Sequence, residues 1–168
     1  YPYEWCFSEL KDAALLTLEI QNPAIRFGMS LRDASAYNIQ FSNGRPILID
    51  TLSFEKYEEG RPWVAYRQFC QHFLAPLALM SYRDVRLGQL LRIYIDGISL
   101  DLASKLLPAR TNFNPGLLFH VHFHSKSQKR FANKKINFSG RKMSKLALLG
   151  LVESLENTIR SLGIKLGG

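Results

Sequence analysis

Cysteines, long apolar runs and, in one window, acidic residues are scarce in this sequence. Cys6 and Cys70 are the only cysteines, and neither belongs to a spacing typical of metal or redox sites. This scarcity argues against a disulfide framework, favours a cytoplasmic location and indicates two core thiols. Charged residues or glycine interrupt every apolar run before it reaches the roughly 20 residues of a membrane-spanning helix, so the sequence excludes a membrane span.

Acidic residues are absent between Asp101 and Glu153, whereas ten lysines and arginines occur there. The whole chain carries a net charge of +8, so the positive charge of this window exceeds the net positive charge of the whole chain. Its densest part runs from Lys126 to Lys145 and has the charge to attract an anionic partner such as nucleic acid, acidic lipid or an acidic neighbouring domain. A solvated basic face is the alternative interpretation.

Hydrophobic periodicity predicts a predominantly α-helical protein of the α+β class, with one β-hairpin packed on a helical body. The hairpin is expected over residues 38–50, around an Asn43-Gly44 turn. The expected helices cover residues 9–27, 62–80, 86–95, 100–107, 116–131 and 143–162. Pro76 is expected to kink or divide the long second helix. For residues 116–131 a strand is the competing prediction.

Three polar residues in and beside the hairpin form the most informative pattern. Asp33 is followed five residues later by Asn38, and Asp50 ends the second predicted strand. Hard oxygen ligands of these types suit magnesium. The pattern resembles the catalytic loop and metal-binding strand of kinase-like folds, which include protein kinases and aminoglycoside phosphotransferases. The resemblance covers residues 10–82 at most and implies the architecture of the larger lobe of that fold.

The resemblance implies a role for each of these residues. Asp33 would orient the attacking hydroxyl, Asn38 would ligate magnesium, and Asp50 would bridge the metal to the phosphates of ATP. However, Leu31 stands where the family usually has His, and Thr51-Leu52 follows Asp50 in place of Phe-Gly. No Gly-rich phosphate loop and no partnered lysine precede this pattern, so Mg-ATP binding would need an upstream lobe. In the structural alternative, Asp33 and Asn38 bond backbone amides and Asp50 caps the following turn.

A second resemblance extends over most of the chain. The segments Tyr1–Trp5, Leu31–Glu55 and Trp63–Phe69 resemble the region upstream of the methyltransferase domain in bacterial nodulation-protein-related methyltransferases. The resemblance implies that S-adenosylmethionine binds only in the parent protein, because no strand followed by a Gly-rich turn and helix is visible here. The parent protein would then be the methyltransferase, and this segment alone would be inactive.

The two resemblances together predict a non-catalytic or degenerate kinase-like module that serves as a scaffold or recruits substrate, with neighbouring domains of the parent chain as partners. A phosphotransferase lobe that needs an upstream nucleotide-binding lobe is one alternative, and a module that binds nucleic acid or another anionic partner is the second. We expect a single domain over residues 1–168, with a kinase-like core in 1–110 and a basic helical part in 111–168. Because the chain begins with Tyr1 rather than Met, we expect it to be a piece of a larger protein.

Three histidines alternate with apolar residues at His120, His122 and His124. On a strand all three imidazoles would share one face and could ligate zinc or copper, whereas on a helix only His120 and His124 would do so. No cysteine or carboxylate lies nearby in sequence, and the adjacent lysines would repel a cation. A structural or interface role is therefore favoured.

Overall fold

The first helix, α1, precedes the segment that carries Asp33. The computed structural model describes residues 1–126 and 143–164. In it α1 spans Phe7–Arg26 and buries one apolar face, which includes Leu10, Leu18 and Ile25. The Glu9 carboxylate accepts a hydrogen bond of 2.8 Å from the backbone N–H of Cys6, the residue that precedes the helix. Cys6 is exposed there, which corrects the expectation of a core thiol, whereas Cys70 is buried as expected.

Four short strands form two separate antiparallel pairs. β1 (Met29–Leu31) pairs with β4 (Phe54–Lys56), and β2 (Ile39–Ser42) pairs with β3 (Arg45–Leu48). The second pair is the predicted hairpin, and its turn residues Asn43 and Gly44 have φ values of 51° and 73°. Two successive residues with positive φ are what the Asn-Gly signal predicts. The hairpin on a helical body confirms the predicted α+β, mainly helical fold class.

The long buried helix, α2, consists of three contiguous segments: Tyr66–Phe69, a π-helical turn at Cys70–Leu74, and Ala75–Tyr82. It begins later than predicted because the preceding residues form a turn in which the Tyr66 N–H bonds the Trp63 carbonyl. The indole N–H of Trp63 donates to the carbonyl of Leu31 at 2.7 Å and so ties this turn to β1. The π-helical turn ends two residues before Pro76, so the predicted interruption is a wider turn rather than a break.

The rest of the described chain is helical and packs beside α1 and α2. The remaining elements are a 3₁₀ stretch at Val85–Arg92, α3 at Leu100–Leu106, a 3₁₀ turn at Ala109–Phe113, α4, which starts at Pro115–Leu117 and continues as π-helix through Leu118–Phe123, and α5 at Lys145–Ser161. Helical structure from Pro115 to residue 126 confirms the helix rather than the strand over that part of the predicted segment 116–131, and residues 127–131 lie outside the described residues.

Helix α5 packs along α1. The ammonium group of Lys11 donates hydrogen bonds to the carbonyls of Arg160 and Leu162, at 2.9 and 2.7 Å. These bonds tie the C-terminal end of α5 to the start of α1. Across the described residues, no helix is both long enough and apolar enough to cross a membrane.

Candidate functional site

The loop between β1 and β2 carries Asp33 and is fixed by side chains of α2. The Asp33 carboxylate accepts a hydrogen bond of 2.9 Å from the N–H of Ser35, two residues on, which is the geometry of an Asx turn. The N–H of Ala34 donates to Gln68 Oε1 at 2.7 Å, and the N–H of Ala36 donates to His72 Nδ1 at 3.3 Å. Two backbone amides of the loop therefore find their partners on the buried helix.

Asn38 and Asp50 meet at a third residue, Ser53. Asn38 Nδ2 donates to Ser53 Oγ at 3.2 Å, and the Ser53 hydroxyl donates to Asp50 Oδ2 at 2.6 Å. The other oxygen of Asp50 accepts the N–H of Leu52 at 2.9 Å. These bonds from Ser53 and Leu52 hold the pKa of the Asp50 carboxyl below its usual range. The structure thus joins the two predicted magnesium ligands through a buried serine.

Ser53 was missed in the sequence, although a signal for it exists. A serine three residues after an aspartate that closes a strand has the spacing of a side-chain-capped turn. The structural alternative predicted from the sequence matches the observed bonds of Asp33 and Asp50. It differs for Asn38, which bonds the hydroxyl of Ser53 rather than a backbone amide.

His72 and Asp96 also adjoin the Asp33 loop, and the sequence pattern indicated neither. Burial lowers the pKa of His72, while the negative charges of Asp33 and Asp96 act in the opposite direction. Asp96 is held here because the next residue but one, Ile98, donates its N–H to the Gln71 carbonyl in the π-helical turn at 2.9 Å. Two carboxylates from distant parts of the chain therefore act on one buried imidazole.

The donor set of Asp33, Asn38 and Asp50, two carboxylates and an amide, is of the type that magnesium prefers. The described residues include no group of three or more His, Cys, Asp or Glu side chains arranged to hold a metal ion. Both oxygens of Asp50 already accept hydrogen bonds from the chain. Magnesium at Asp50 would have to share that carboxylate with Ser53 and Leu52.

Two histidines of α4, His120 and His124, share the neighbour Tyr66, whereas His122 contacts other residues. His120 is fully buried, and its two ring nitrogens lie 2.6 Å from Tyr66 Oη and 2.9 Å from Ser154 Oγ. The ring of His124 lies beside that of Tyr66, with 5.0 Å between the ring centroids and 54° between the ring planes. Burial and the neighbouring His124 lower the pKa of His120 to about 4, so its imidazole is neutral at physiological pH.

His122 is bonded in the same way on the other side of α4. Its Nδ1 lies 2.8 Å from Ser104 Oγ, and its Nε2 lies 2.9 Å from Thr111 Oγ1. Burial lowers the pKa of His122, with the charge of Lys126 acting in the same direction. Both nitrogens of the imidazole are engaged with the protein, which is the arrangement of a structural histidine.

The basic region predicted to bind an anionic partner, Lys126 to Lys145, lies outside the described residues except at its two ends. At one of those ends, Lys145 Nζ donates to the Arg26 carbonyl at 3.3 Å. This contact holds the start of α5 against the end of α1.

Comparisons with known proteins give one informative match. No protein-family model and no solved structure matches the chain. Nodulation protein NoeA of Rhizobium meliloti (strain 1021) is 36% identical to it over 171 residues, a match that covers 99% of this chain and 36% of NoeA. The chain therefore spans little more than a third of the length of this curated relative. The nodulation-related part of the predicted resemblance is confirmed, since nearly the whole chain is similar to a region of a nodulation protein.

Proposed function

We propose that this chain is a non-catalytic, kinase-like module that serves as a scaffold or recruits substrate within a larger nodulation-related, methyltransferase-like protein. The observation that carries the proposal is the hydrogen bonding of the three motif residues. The carboxylates of Asp33 and Asp50 accept backbone N–H groups, and Ser53 bridges Asn38 to Asp50. Each side chain already has a structural task, and a ligand would have to compete with those bonds.

A scaffold needs a surface of fixed shape, and the Asp33 loop has one. Gln68 and His72 hold its backbone from the buried helix, and the hairpin beside it is closed by the Asn43-Gly44 turn. Preorganised loops of this kind bind partners at a low entropic cost. We propose the neighbouring domains of the parent chain as these partners.

The length of the relative supports the second half of the proposal. The match covers 36% of NoeA, which leaves most of that protein for other domains. We propose that S-adenosylmethionine binds in such a domain and that methyl transfer takes place there. The free thiols of Cys6 and Cys70 suit a module of the reducing cytoplasm.

A phosphotransferase lobe is the second candidate, and one observation favours it. Asn38 directly precedes β2 and Asp50 follows β3, yet both bond Ser53, while Asp33 lies on the loop that leads into the same hairpin. In this alternative Asn38 and Asp50 would hold magnesium on ATP, and Asp33 would orient the acceptor hydroxyl. An upstream lobe would have to supply the nucleotide pocket.

Calorimetric titration of Mg-ATP separates the two candidates. It should be carried out on this chain and on its full-length parent, each with the variants Asp50→Ala and Asp84→Ala. Asp84 is the matched control, because its carboxylate also accepts the N–H of the residue two positions on, Arg86, at 2.8 Å. We expect no saturable, magnesium-dependent ATP binding by any of these proteins. Binding by the parent that Asp50→Ala abolishes and Asp84→Ala preserves would establish the phosphotransferase instead.

A further inference from the structure

A chain of four hydrogen-bonding side chains runs from the buried helix α2 to the surface of α5. Ser154 Oγ lies 2.9 Å from His120 Nε2, and His120 Nδ1 lies 2.6 Å from Tyr66 Oη. The Tyr66 hydroxyl is in turn hydrogen-bonded to the Cys70 thiol. Tyr66 and His120 are buried, whereas Ser154 is half-buried. Ser154 is therefore the point at which the network reaches the surface.

Ser154 lies in the wall of an open cleft of about 780 Å³, which is formed by α4, α5 and the 3₁₀ turn at Ala109–Phe113. The cleft offers hydroxyl, amide, guanidinium and carboxylate groups around one exposed aromatic ring. Its lining includes Tyr82, Arg110, Phe113, Glu153, Ser154 and Asn157. A volume of this size can admit a small organic molecule beside the Ser154 hydroxyl.

The bonds around His120 are consistent with the tautomer that a general base requires. When Tyr66 donates its hydrogen to Cys70, its oxygen is left to accept the N–H at His120 Nδ1. His120 Nε2 then carries a lone pair and accepts the hydroxyl proton of Ser154. A serine, a histidine and a third group that orients the imidazole form the arrangement of an activated nucleophile.

We propose that Ser154 is a nucleophile that takes an acyl group from an ester bound in this cleft, with His120 as the general base and Tyr66 as a positioning residue. Ser154 Oγ attacks the ester carbonyl carbon, and its proton passes to His120 Nε2. The tetrahedral intermediate then collapses, the bond to the alcohol oxygen breaks, and His120 returns the proton to the departing alcohol. Water can release the acyl group by the same steps. The residues of this activity are separate from the kinase-like pattern of Asp33, Asn38 and Asp50, which the proposed function treats as non-catalytic, so the result of either test leaves the other open.

A donor for the developing oxyanion is available on the same helix. Asn157 follows Ser154 by three residues, so the two side chains lie on one face of α5, and both line the cleft. The Asn157 amide is therefore the candidate group to stabilise negative charge on the carbonyl oxygen. The Arg110 guanidinium, which stands over the ring of Tyr82, is the cationic group of this wall.

The surroundings of His120 determine how strong a base it is. Its titratable neighbours are Tyr66 and Cys70 on α2, His124 on its own helix, and Glu153 in the cleft wall. Burial lowers the pKa of His120 to about 4, which keeps it unprotonated at neutral pH but makes it a weak base. The reaction is therefore expected to be slow and to show itself first as a single acylation of Ser154.

Two serines of this chain are matched controls. Ser161 lines the same cleft on the same helix, but its hydroxyl donates to the Thr158 carbonyl. Ser104 bonds a buried histidine, His122, but it does not line this cleft. Ser161 therefore controls for exposure to the cleft, and Ser104 controls for a hydrogen bond to a buried histidine.

The test is covalent labelling of the full chain with a fluorophosphonate, located by peptide mass spectrometry. In this reaction Ser154 Oγ bonds to phosphorus, fluoride leaves, and His120 takes the serine proton. We expect one label, on Ser154, which Ser154→Ala abolishes and Ser161→Ala and Ser104→Ala preserve. His120→Gln should slow labelling by about a hundredfold or more, since it removes the base. Tyr66→Phe keeps the ring and should cause a smaller fall. Circular dichroism confirms that each variant is folded.

The pH profile adds a readout that a purely structural network would not produce. With a base of pKa about 4, the labelling rate should stay constant from about pH 8 to about pH 5.5 and fall by about half at about pH 4, whereas labelling without a titrating base would show no such fall. A base with the ordinary pKa of histidine would lose about tenfold over that range. Labelling of another serine, no labelling at all, or a rate that Tyr66→Phe and His120→Gln leave unchanged would each overturn the proposal.

Discussion

Mild acid is predicted to destabilise this protein through the buried histidine of α4. His120 is fully buried and has both ring nitrogens hydrogen-bonded, and burial lowers its pKa to about 4 from the ordinary value of 6.5. The unfolded chain therefore binds a proton at a pH where the folded chain does not. The stabilisation is complete above the unfolded pKa and is lost as the pH falls through the folded pKa.

The size of the effect follows from the two pKa values. For His120 alone, the free energy of unfolding should fall by about 2 kcal/mol between about pH 8 and pH 5, and by about 3 kcal/mol at pH 4. Burial lowers the pKa values of His72, His122 and His124 in the same direction, so each adds to the fall. The His120 contribution is the one that a single variant can isolate.

Urea unfolding at a series of pH values measures this fall, and NMR titration of the His120 Cε1–H measures the folded pKa. His120→Gln should be less stable at neutral pH but should lose about 2 kcal/mol less between about pH 8 and pH 5. A folded-state titration of His120 near 6.5 would refute the reasoning. Equal pH dependence of the free energy of unfolding in the unmutated chain and in His120→Gln would refute it as well.

Two further substitutions test the packing around the candidate site. Gly97 has a φ of 91°, and a Cβ there would lie 2.7 Å from the carbonyl carbon of Gln71, so Gly97→Ala should lower the free energy of unfolding by about 3 kcal/mol. Gly28→Ala is the control, with a φ of 79° and no atom within 4 Å, and should cost about 1 kcal/mol in the same urea assay. Trp63→Phe leaves the Leu31 carbonyl without its indole donor and should cost about 1 to 3 kcal/mol, measured by circular dichroism during urea unfolding; no measurable loss would contradict this role.

Much of the fold could be predicted because its signals are local. The Asn43-Gly44 turn identified the hairpin, and apolar periodicity identified α1 and α5. The pairing of β1 with β4 could not be predicted, since two three-residue strands carry too short a pattern and meet only through the tertiary fold. The late start of α2 was missed because apolar residues continue upstream of Tyr66 into a turn.

The candidate site was predictable only where its residues are close in sequence. The spacing of Asp33, Asn38 and Asp50 is visible in the chain, and the structure adds that two of them share Ser53. Asp96 could not be found, because its loop reaches α2 through tertiary contacts such as the bond between Ile98 and Gln71. The contact of Tyr66, His120 and Ser154 joins three helices and has no counterpart in sequence spacing.

The two π-helical turns bear on how this sequence has diversified. A π-helical turn contains one residue more than an α-helical turn, so each is a place where a single-residue insertion can be accommodated within a continuous helix. Deleting one residue from Cys70–Leu74 would convert the wide turn into an α-helical turn, and the segments of α2 on either side of it would keep nearly their present orientation. The same holds for Leu118–Phe123 of α4. In an alignment of relatives, a one-residue gap within either turn would therefore mark a protein in which that helix is α-helical throughout and still packs as it does here.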